Sequence, residues 1–215
     1  MKTRHTLLSL ALVAGLAACA NEAEPEVPAP APAPAPEALE PAPAADAAGG
    51  IALAAQARVQ LAAVQDSGVS GELVFDPAGE GLHLHGSIQG LAPGSVHGFH
   101  LHETGDCSAP DATSAGGHFN PDQMQHGDRT TPGPHHAGDM PNLTAGDDGT
   151  ATVDVQLAGM TMGDGGSHDV VGRAVIVHAQ ADDYATQPTG NAGARIACGV
   201  IELTQPAPEY QGPAS

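Results

Sequence analysis

The 215-residue sequence predicts an all-β domain, an antiparallel sandwich or barrel that carries two long loops. Three observations lead to this fold class. Short runs rich in Val, Leu and Ile recur between turn signals, a spacing typical of antiparallel β proteins. Glycine is abundant, with 28 residues, and this favours turn-rich β structure over helices. Aromatic residues make up only 2% of the chain, so aliphatic side chains must supply most of the core.

Seven segments are predicted as strands. A tight hairpin at 66–68 separates the first two, and further turn signals lie at 92–94 and 147–149. Residues 51–63 also fit a short helix, because their apolar spacing is ambiguous. The predicted strands span residues 57–65, 69–76, 81–90, 94–102, 151–157, 171–179 and 195–203.

Two long segments, 103–150 and 158–170, are too polar and too rich in Gly and Pro to form strands. Long loops on a β scaffold are usually functional, so we expect the chemistry of the protein to lie there.

The N-terminus predicts export. Residues 1–18 have a basic start and an apolar stretch at 7–16, the pattern of a signal peptide. The sequence LAAC that ends at Cys19 resembles the lipobox of bacterial lipoproteins, in which that cysteine becomes the first mature residue and carries the lipid. An ordinary cleaved signal peptide is the alternative. The lipobox implies a periplasmic or cell-envelope protein, lipid-anchored to a membrane.

Three further parts of the chain follow from composition. Residues 19–50 comprise the lipidated cysteine and a Pro/Ala-rich tether. The prolines of the tether favour an extended polyproline conformation. Residues 51–205 form the folded domain, and residues 206–215 form a C-terminal tail. No apolar stretch is long enough for a retained membrane helix.

Charge excludes one class of partner. The chain has a formal net charge of −19, and two of its six basic residues, Lys2 and Arg4, lie in the signal region. Phosphate backbones would repel such a domain, so nucleic-acid binding is excluded.

Histidines are concentrated in the first long loop and at strand ends. His100 and His102 end a predicted strand, and alternation places both imidazoles on one face, ~7 Å apart. Imidazole suits copper and zinc, and a carboxylate can complete a zinc site. The other candidate ligands are His118, His126, His136, Asp139 and His178.

Four segments carry a family resemblance. They read GFHLHETGDC at 98–107, SAGGHFNP at 114–121, GRAVIVH at 172–178 and GNAGARIACGVI at 190–201. Together they resemble the bacterial copper/zinc superoxide dismutases, and the similarity covers about residues 57–203. The resemblance implies an eight-stranded, flattened Greek-key barrel of the immunoglobulin-like sandwich architecture.

The resemblance also implies one copper ion and one zinc ion per subunit. Its copper ligands would be His100, His102, His118 and His178. Its zinc ligands would be the bridging His118 with His126, His136 and Asp139. Asp182 would link a copper histidine to a zinc histidine. His135 is the rival of His136, and the spacing from Asp139 favours His136.

Other roles come from the same resemblance. Arg195 would guide the substrate anion, Thr189 would narrow the channel, and Cys107 and Cys198 would form a disulfide. The implied activity is dismutation of superoxide to dioxygen and hydrogen peroxide, in which His118 leaves the reduced copper and carries a proton.

Two other function classes remain open at this point. A non-catalytic copper-binding or copper-delivery protein of the same fold would be expected to lack a copper ligand or the arginine. A binding module on the anchored barrel would need an apolar or aromatic surface patch, which the chain is poorly equipped to build. The oligomeric state, monomer or homodimer, stays open.

Three features depart from the family pattern or lie outside it. The chain has no lysine after the signal region, so we expect weaker electrostatic attraction of superoxide than in lysine-bearing relatives. His83 and His85 share one face of a strand and could bind metal, although exposed polar positions are the simpler interpretation. The methionines are too scattered to suggest a copper site of their own.

Overall fold

A computed structural model of the protein describes residues 55–205. The predicted signal peptide, Cys19, the tether and the tail lie outside these residues. The fold is all-β, as predicted, with one short 3-10 turn at Thr113–Ala115. Between residues 55 and 205 there is no helix with the length and apolarity to cross a membrane. The strands are β1 (Gln56–Ala63), β2 (Ser70–Ala78), β3 (Gly81–Gln89), β4 (Val96–His97), β5 (Phe99–His102), β6 (Leu143–Thr144), β7 (Ala151–Ala158), β8 (Ala174–His178) and β9 (Arg195–Gln205).

Seven strands form one antiparallel sheet in the order β5-β8-β9-β1-β2-β3-β7. Strands β4 and β6 form a separate pair. The segment predicted as one strand over 94–102 is broken at Gly98 into β4 and β5. If β4 and β5 are counted as one strand, the nine strands of residues 55–205 become the eight that the family resemblance implies. Since β4 runs into β5 and β6 leads into β7, the small pair links the two outer strands of the sheet.

Two expectations differ from the structure. The helix considered for 51–63 is wrong, because β1 occupies its described part and pairs with both β2 and β9. Strand β6 was not predicted, since it holds two residues inside a polar loop. Backbone pairing with β4, rather than a hydrophobic pattern, defines this strand.

Alternation of side chains along the strands builds the core. In β1 the residues Ala57, Val59 and Leu61 are buried, while their neighbours in sequence face outward. Phe75 on β2 and Phe99 on β5 are fully buried in the same cluster. Burying side chains of this size stabilises the fold by roughly 1.5–3 kcal/mol each.

Strand β8 is buried on both faces because a loop covers its outer side. Val175 and Val177 face the main core, whereas Ala174 and Ile176 belong to a second cluster. That cluster contains Ala112 and Ala115 of the loop after β5, and Cys198 of β9. A disulfide between Cys107 and Cys198 fastens this loop to the barrel, as predicted.

The same alternation places two histidines outside the barrel wall. In β5, Phe99 and Leu101 enter the main core, so His100 and His102 point to the opposite face. All four residues are buried, because the long loops cover the outer face of β5. The site described next therefore lies between the barrel wall and its loops.

Candidate metal centre

Four histidines bring one ring nitrogen each to a common point. We call this set, His100, His102, His118 and His178, the four-histidine group. Its members are all buried, and the potential ligand atoms lie within 4.8 Å of one another. Strand β5 supplies two members and the end of β8 supplies one.

His118 reaches the group because its segment runs beside β5. It forms an isolated antiparallel bridge with His102. The N–H of Phe119 donates to the carbonyl of Leu101 at 2.8 Å. The guanidinium of Arg173 lies 4.5 Å above the Phe119 ring, a cation–π contact that fixes the residue next to His118.

Three of these histidines have a fixed tautomer. His100 Nε2 donates to Asp182 Oδ2 at 2.8 Å, and His102 Nδ1 donates to the carbonyl of Gly116 at 2.9 Å. His178 Nδ1 donates to a backbone carbonyl at 3.1 Å. Because these acceptors carry no proton, each ring must carry its N–H on the nitrogen that donates. The other nitrogen of each ring therefore offers a lone pair.

Those other nitrogens are buried and have no hydrogen-bond partner. Buried polar atoms without partners are rare and costly in folded proteins. Here they converge, and imidazole nitrogens are good ligands for copper and zinc, so the set fits a bound transition metal. The unpartnered atoms of the group are His100 Nδ1, His102 Nε2, His118 Nε2 and His178 Nε2.

A second set of ligands surrounds Asp139. We call His118, His126, His136 and Asp139 the histidine–aspartate group, and its potential ligand atoms also lie within 4.8 Å of one another. Asp139 Oδ1 lies 2.8, 3.0 and 3.2 Å from the Nδ1 atoms of His118, His126 and His136. Asp139 Oδ2 accepts the backbone N–H groups of His136 and Gly127, which orients the carboxylate. Three imidazoles and one carboxylate match the ligand chemistry of a tetrahedral zinc site.

Two residues connect the groups. His118 belongs to both, with Nε2 facing the four-histidine group and Nδ1 facing Asp139. Asp182 makes the second connection, since Oδ2 accepts from His100 and Oδ1 accepts from His126 at 2.9 Å. The carboxylate thus orients one histidine of each group: it leaves Nδ1 of His100 without a partner and turns Nδ1 of His126 toward Asp139.

Burial and the carboxylates set the protonation of the site. Burial lowers the pKa of His118 to about 4 and that of His178 to about 3, so both are neutral near pH 7. Burial also opposes the charged form of His126, but Asp139 and Asp182 outweigh it and raise its pKa to about 9. Burial likewise disfavours the charged forms of both carboxyl groups, yet the histidine contacts hold each pKa well below its usual range.

Arg195 lies beside the four-histidine group and is held by backbone carbonyls. Its Nη1 donates to the carbonyl of Ala112, and its Nη2 donates to that of Gly116 at 2.6 Å. The Gly116 carbonyl also accepts from His102, so the arginine and a histidine of the group share one acceptor. Arg195 is half-buried and lines a surface cavity together with Asp111 and Thr113. One side of the guanidinium can therefore meet an anion arriving from solvent.

Thr189 is the predicted site residue with the least structural support. Its side chain is exposed and forms no hydrogen bond within residues 55–205. A role in narrowing a channel stays a prediction.

Two amide side chains missed by the sequence analysis position the site. Asn142 forms a reciprocal pair with the backbone of Asp182: its Nδ2 donates to the carbonyl at 2.9 Å, and its Oδ1 accepts from the N–H at 2.8 Å. Gln187 pairs with the backbone of His126 in the same way. Isolated amides in loops leave no recognisable pattern in a sequence, so nothing marked these two residues.

Gly190 permits the contact between Asp182 and His126. A Cβ atom at this position would lie 1.8 Å from Asp182 Oδ1 and 2.6 Å from His126 Nε2. The residue also has a φ of +64°, in the left-handed region. Its place in the GNAGARIACGVI segment was visible in the sequence, but the reason for a glycine there was not.

Comparisons with known proteins relate the chain to one family. A family model described as "Copper/zinc superoxide dismutase (SODC)" matches residues 69–201. The chain is similar to "Superoxide dismutase-like protein YojM" of Bacillus subtilis, 46% identical over 125 residues, 57% of this chain and 63% of that protein. It is also similar to "Superoxide dismutase [Cu-Zn] 2" of Brassica juncea, 43% identical over 143 residues, 63% of this chain and 91% of that protein.

Solved structures share the fold. A crystal structure of a SOD-like protein from Bacillus subtilis superposes with a TM-score of 0.60 and 42% identity. It covers 66% of this chain and 96% of that one. The structure described as the clock protein EA4 superposes with a TM-score of 0.62 and 34% identity, covering 72% of this chain and 98% of that one.

Proposed function

Because the chain belongs to the copper/zinc superoxide dismutase family, we propose that it converts superoxide to dioxygen and hydrogen peroxide. One superoxide anion loses an electron and leaves as dioxygen. A second gains that electron with two protons and leaves as hydrogen peroxide. The observation that carries the proposal is the pair of ligand groups joined at His118, with unpartnered imidazole nitrogens facing one of them.

The two groups differ in the ion that they suit. All-imidazole ligation suits copper, whereas a carboxylate among imidazoles suits zinc. We assign copper to the four-histidine group, where it would carry the electron between the two half-reactions. We assign zinc to the histidine–aspartate group, where it would order the loop and fix His118. One ion of each kind per subunit is part of the proposal.

The residues of the chain supply binding and proton handling. Arg195 offers N–H donors and a positive charge to the incoming anion, beside the four-histidine group. Nε2 of His118, whenever it is not a ligand, is the ring nitrogen placed to hold a proton for the peroxide. Asp139 and the other members of its group keep the opposite nitrogen of His118 oriented.

A non-catalytic copper protein is the second candidate. One relative is named only superoxide dismutase-like and one similar structure is described as a clock protein, so neither name states dismutation. The complete four-histidine group together with Arg195 favours the enzyme, because a non-catalytic member of the fold would be expected to lack a copper ligand or the arginine.

Superoxide dismutation by the purified protein, before and after loading with copper and zinc, tests the proposal. We expect activity that depends on copper and is lost in His118→Ala. As a matched control, His168→Ala removes a half-buried histidine that pairs with Asp122 and belongs to neither group, and it should keep full activity. If the protein binds both metals tightly but shows no activity, the dismutase proposal is wrong and the non-catalytic copper protein is supported instead.

We also propose that the domain works in the cell envelope, anchored through Cys19 and held by the tether at 19–50. The Cys107–Cys198 disulfide supports this location, since such bonds persist in oxidising compartments. Incorporation of labelled palmitate into the protein, and its loss in Cys19→Ala, is the expected result. Equal recovery of both forms from the cytoplasm would contradict the proposal.

A further inference from the structure

A pair of histidines projects from the outer face of the barrel, outside both ligand groups. On β3, Leu82 and Leu84 are buried in the core, so His83 and His85 face outward. The two imidazoles are stacked, with centroids 4.9 Å apart and planes inclined by 28°. Their side chains are 31% and 41% exposed, so an ion from solvent can reach them, and binding one ion through both rings requires them to turn out of the stack.

A carboxylate from a neighbouring strand backs each ring. His83 Nε2 lies 2.8 Å from Asp154 Oδ1 on β7, and His85 Nε2 lies 2.8 Å from Asp76 Oδ2 on β2. The contacts are diagonal, because the strand register puts Asp76 opposite His83 and Asp154 opposite His85. Two strands thus orient the rings from opposite sides.

These contacts leave one nitrogen of each ring available. Each carboxylate accepts a hydrogen bond from Nε2–H, so in the neutral ring Nδ1 carries the lone pair. Within residues 55–205 neither Nδ1 forms a hydrogen bond. The buried centre uses the same arrangement, where Asp182 accepts from His100 Nε2 and Nδ1 faces the four-histidine group. A carboxylate behind a histidine raises the basicity of the ligating nitrogen.

Asp76 is itself held in place and ionised. Gln56 on β1 donates to its Oδ1 at 2.9 Å, and this hydrogen bond, followed by the contact with His85, lowers the pKa of Asp76. The strongly acidic chain adds a general attraction for cations.

We propose that His83 and His85 form an accessory site for one divalent copper or zinc ion on the surface of the barrel. The two Nδ1 atoms bind the ion, Asp76 and Asp154 orient the rings, and water fills the remaining positions. Two histidines two residues apart on a strand point the same way, so they can chelate where a single one cannot. The site lies outside the copper and zinc assignments made above and does not depend on dismutation.

The molecule contains its own control. His168 pairs with Asp122 at 2.9 Å and is about as exposed as His83, but no second histidine among residues 55–205 is stacked on it. It therefore reproduces one half of the proposed site without the chelate.

Calorimetric titration of the fully loaded protein with Zn²⁺, and separately with Cu²⁺, tests the inference. We expect one equivalent more than the His83→Ala/His85→Ala double variant binds. Asp154→Asn should weaken this equivalent about tenfold, as loss of an outer hydrogen bond does at metal sites. His168→Ala should leave it unchanged.

Copper bound at this site gives an independent readout. Its electron paramagnetic resonance spectrum should show two equatorial imidazole nitrogens, and the signal should vanish in the double variant while the signal of the buried group stays. Equal stoichiometry in the wild type and the double variant would overturn the inference, as would an equal loss in His168→Ala. Because the test compares the number of ions bound by the wild type and by the double variant, its outcome does not depend on whether the protein is an active dismutase.

Discussion

The side-chain amide of Gln187 pairs with the backbone of His126 through two hydrogen bonds of 2.9 Å each. Oε1 accepts from the N–H of His126, and Nε2 donates to its carbonyl. Gln187 lies 61 residues further along the chain, in the segment that also carries Asp182. The pair therefore joins the loop of the histidine–aspartate group to the segment that holds both groups together.

Gln187→Ala should speed the release of zinc. The backbone of His126 loses both partners, and outer hydrogen bonds of metal ligands are typically worth about 10–100-fold in affinity. Gln187→Glu keeps the acceptor but loses the donor, so its effect should be intermediate. Release to a chelator and the spectrum of the Co²⁺-substituted protein measure the change. Gln89→Ala, an exposed strand-end substitution, is the control, and zinc release equal to wild type in Gln187→Ala would contradict the prediction.

Gly190→Ala should weaken both metal sites. The added methyl group would meet Asp182 Oδ1 at 1.8 Å, so the carboxylate must move away from His100 and His126. We expect a loss of affinity of about 10–100-fold for each ion, measured by competition with chelators. Gly94→Ala imposes the same left-handed strain at φ +72° but meets no atom within 4 Å. Similar losses in both variants would show that strain, not the clash, is responsible.

The metal-free protein should lose stability as the pH falls from about 6.5 to 4. The unfolded chain protonates His118 and His178 near pH 6.5, while the folded protein resists until about 4 and 3. The unfolded state therefore binds more protons in this window, and the free energy of unfolding falls by about 1.4 kcal/mol per pH unit for each histidine.

His126 acts in the opposite direction and at higher pH. Its pKa of about 9 in the folded protein gives a stabilisation that is complete below pH 6.5 and is lost as the pH rises through 9. Urea unfolding in the presence of a chelator, at intervals from pH 4 to 10, should therefore show maximum stability near pH 6.5, where the two windows meet. A curve that stays flat from pH 7 to 5 would count against the buried neutral histidines.

Dismutation should depend only weakly on salt. The other arginines of the described chain are already engaged by protein groups: Arg58 pairs with Glu72, Arg129 donates to the carbonyl of Asp139, and Arg173 donates to that of Glu103. Arg195 thus acts locally, and charges more than ~8 Å away are largely screened at physiological salt. We expect activity to change by less than about threefold between 10 and 150 mM salt, a small steering effect.

Arg195→Ala should lower activity at every salt concentration. Arg58→Ala removes the same charge from the outer face of β1 and should have little effect, which separates local from global electrostatics. A steep fall of wild-type activity with added salt, abolished by Arg195→Ala, would refute weak steering.

Removing the disulfide should destabilise the domain and loosen the site. Cys107 and Cys198 are 91 residues apart, and a cross-link over such a loop contributes about 4–5 kcal/mol on the chain-entropy model. The freed loop carries the Gly116 carbonyl that holds His102 and Arg195, so copper affinity should fall as well. Urea unfolding of Cys107→Ala/Cys198→Ala measures the first effect. Dithiothreitol should destabilise the wild type and leave the double variant unchanged, and an equal response of both would contradict the prediction.

Short-range patterns were sufficient for much of the fold. Alternation in FHLH predicted that His100 and His102 share a face, and the core pattern of β5 agrees. Strand β6 and the break at Gly98 were not predictable, because both arise from backbone pairing between segments more than forty residues apart.

By itself, the sequence determined the fold class and the types and order of the candidate ligands, because residue chemistry and strand periodicity are local properties. Only the tertiary structure decided which nitrogen of each histidine is free, since the partner of the other nitrogen comes from a distant segment. It also revealed Asn142 and Gln187, and it stacked His83 on His85 between Asp76 and Asp154. Those relationships depend on which strands and loops become neighbours, and only the packing of the whole barrel sets that.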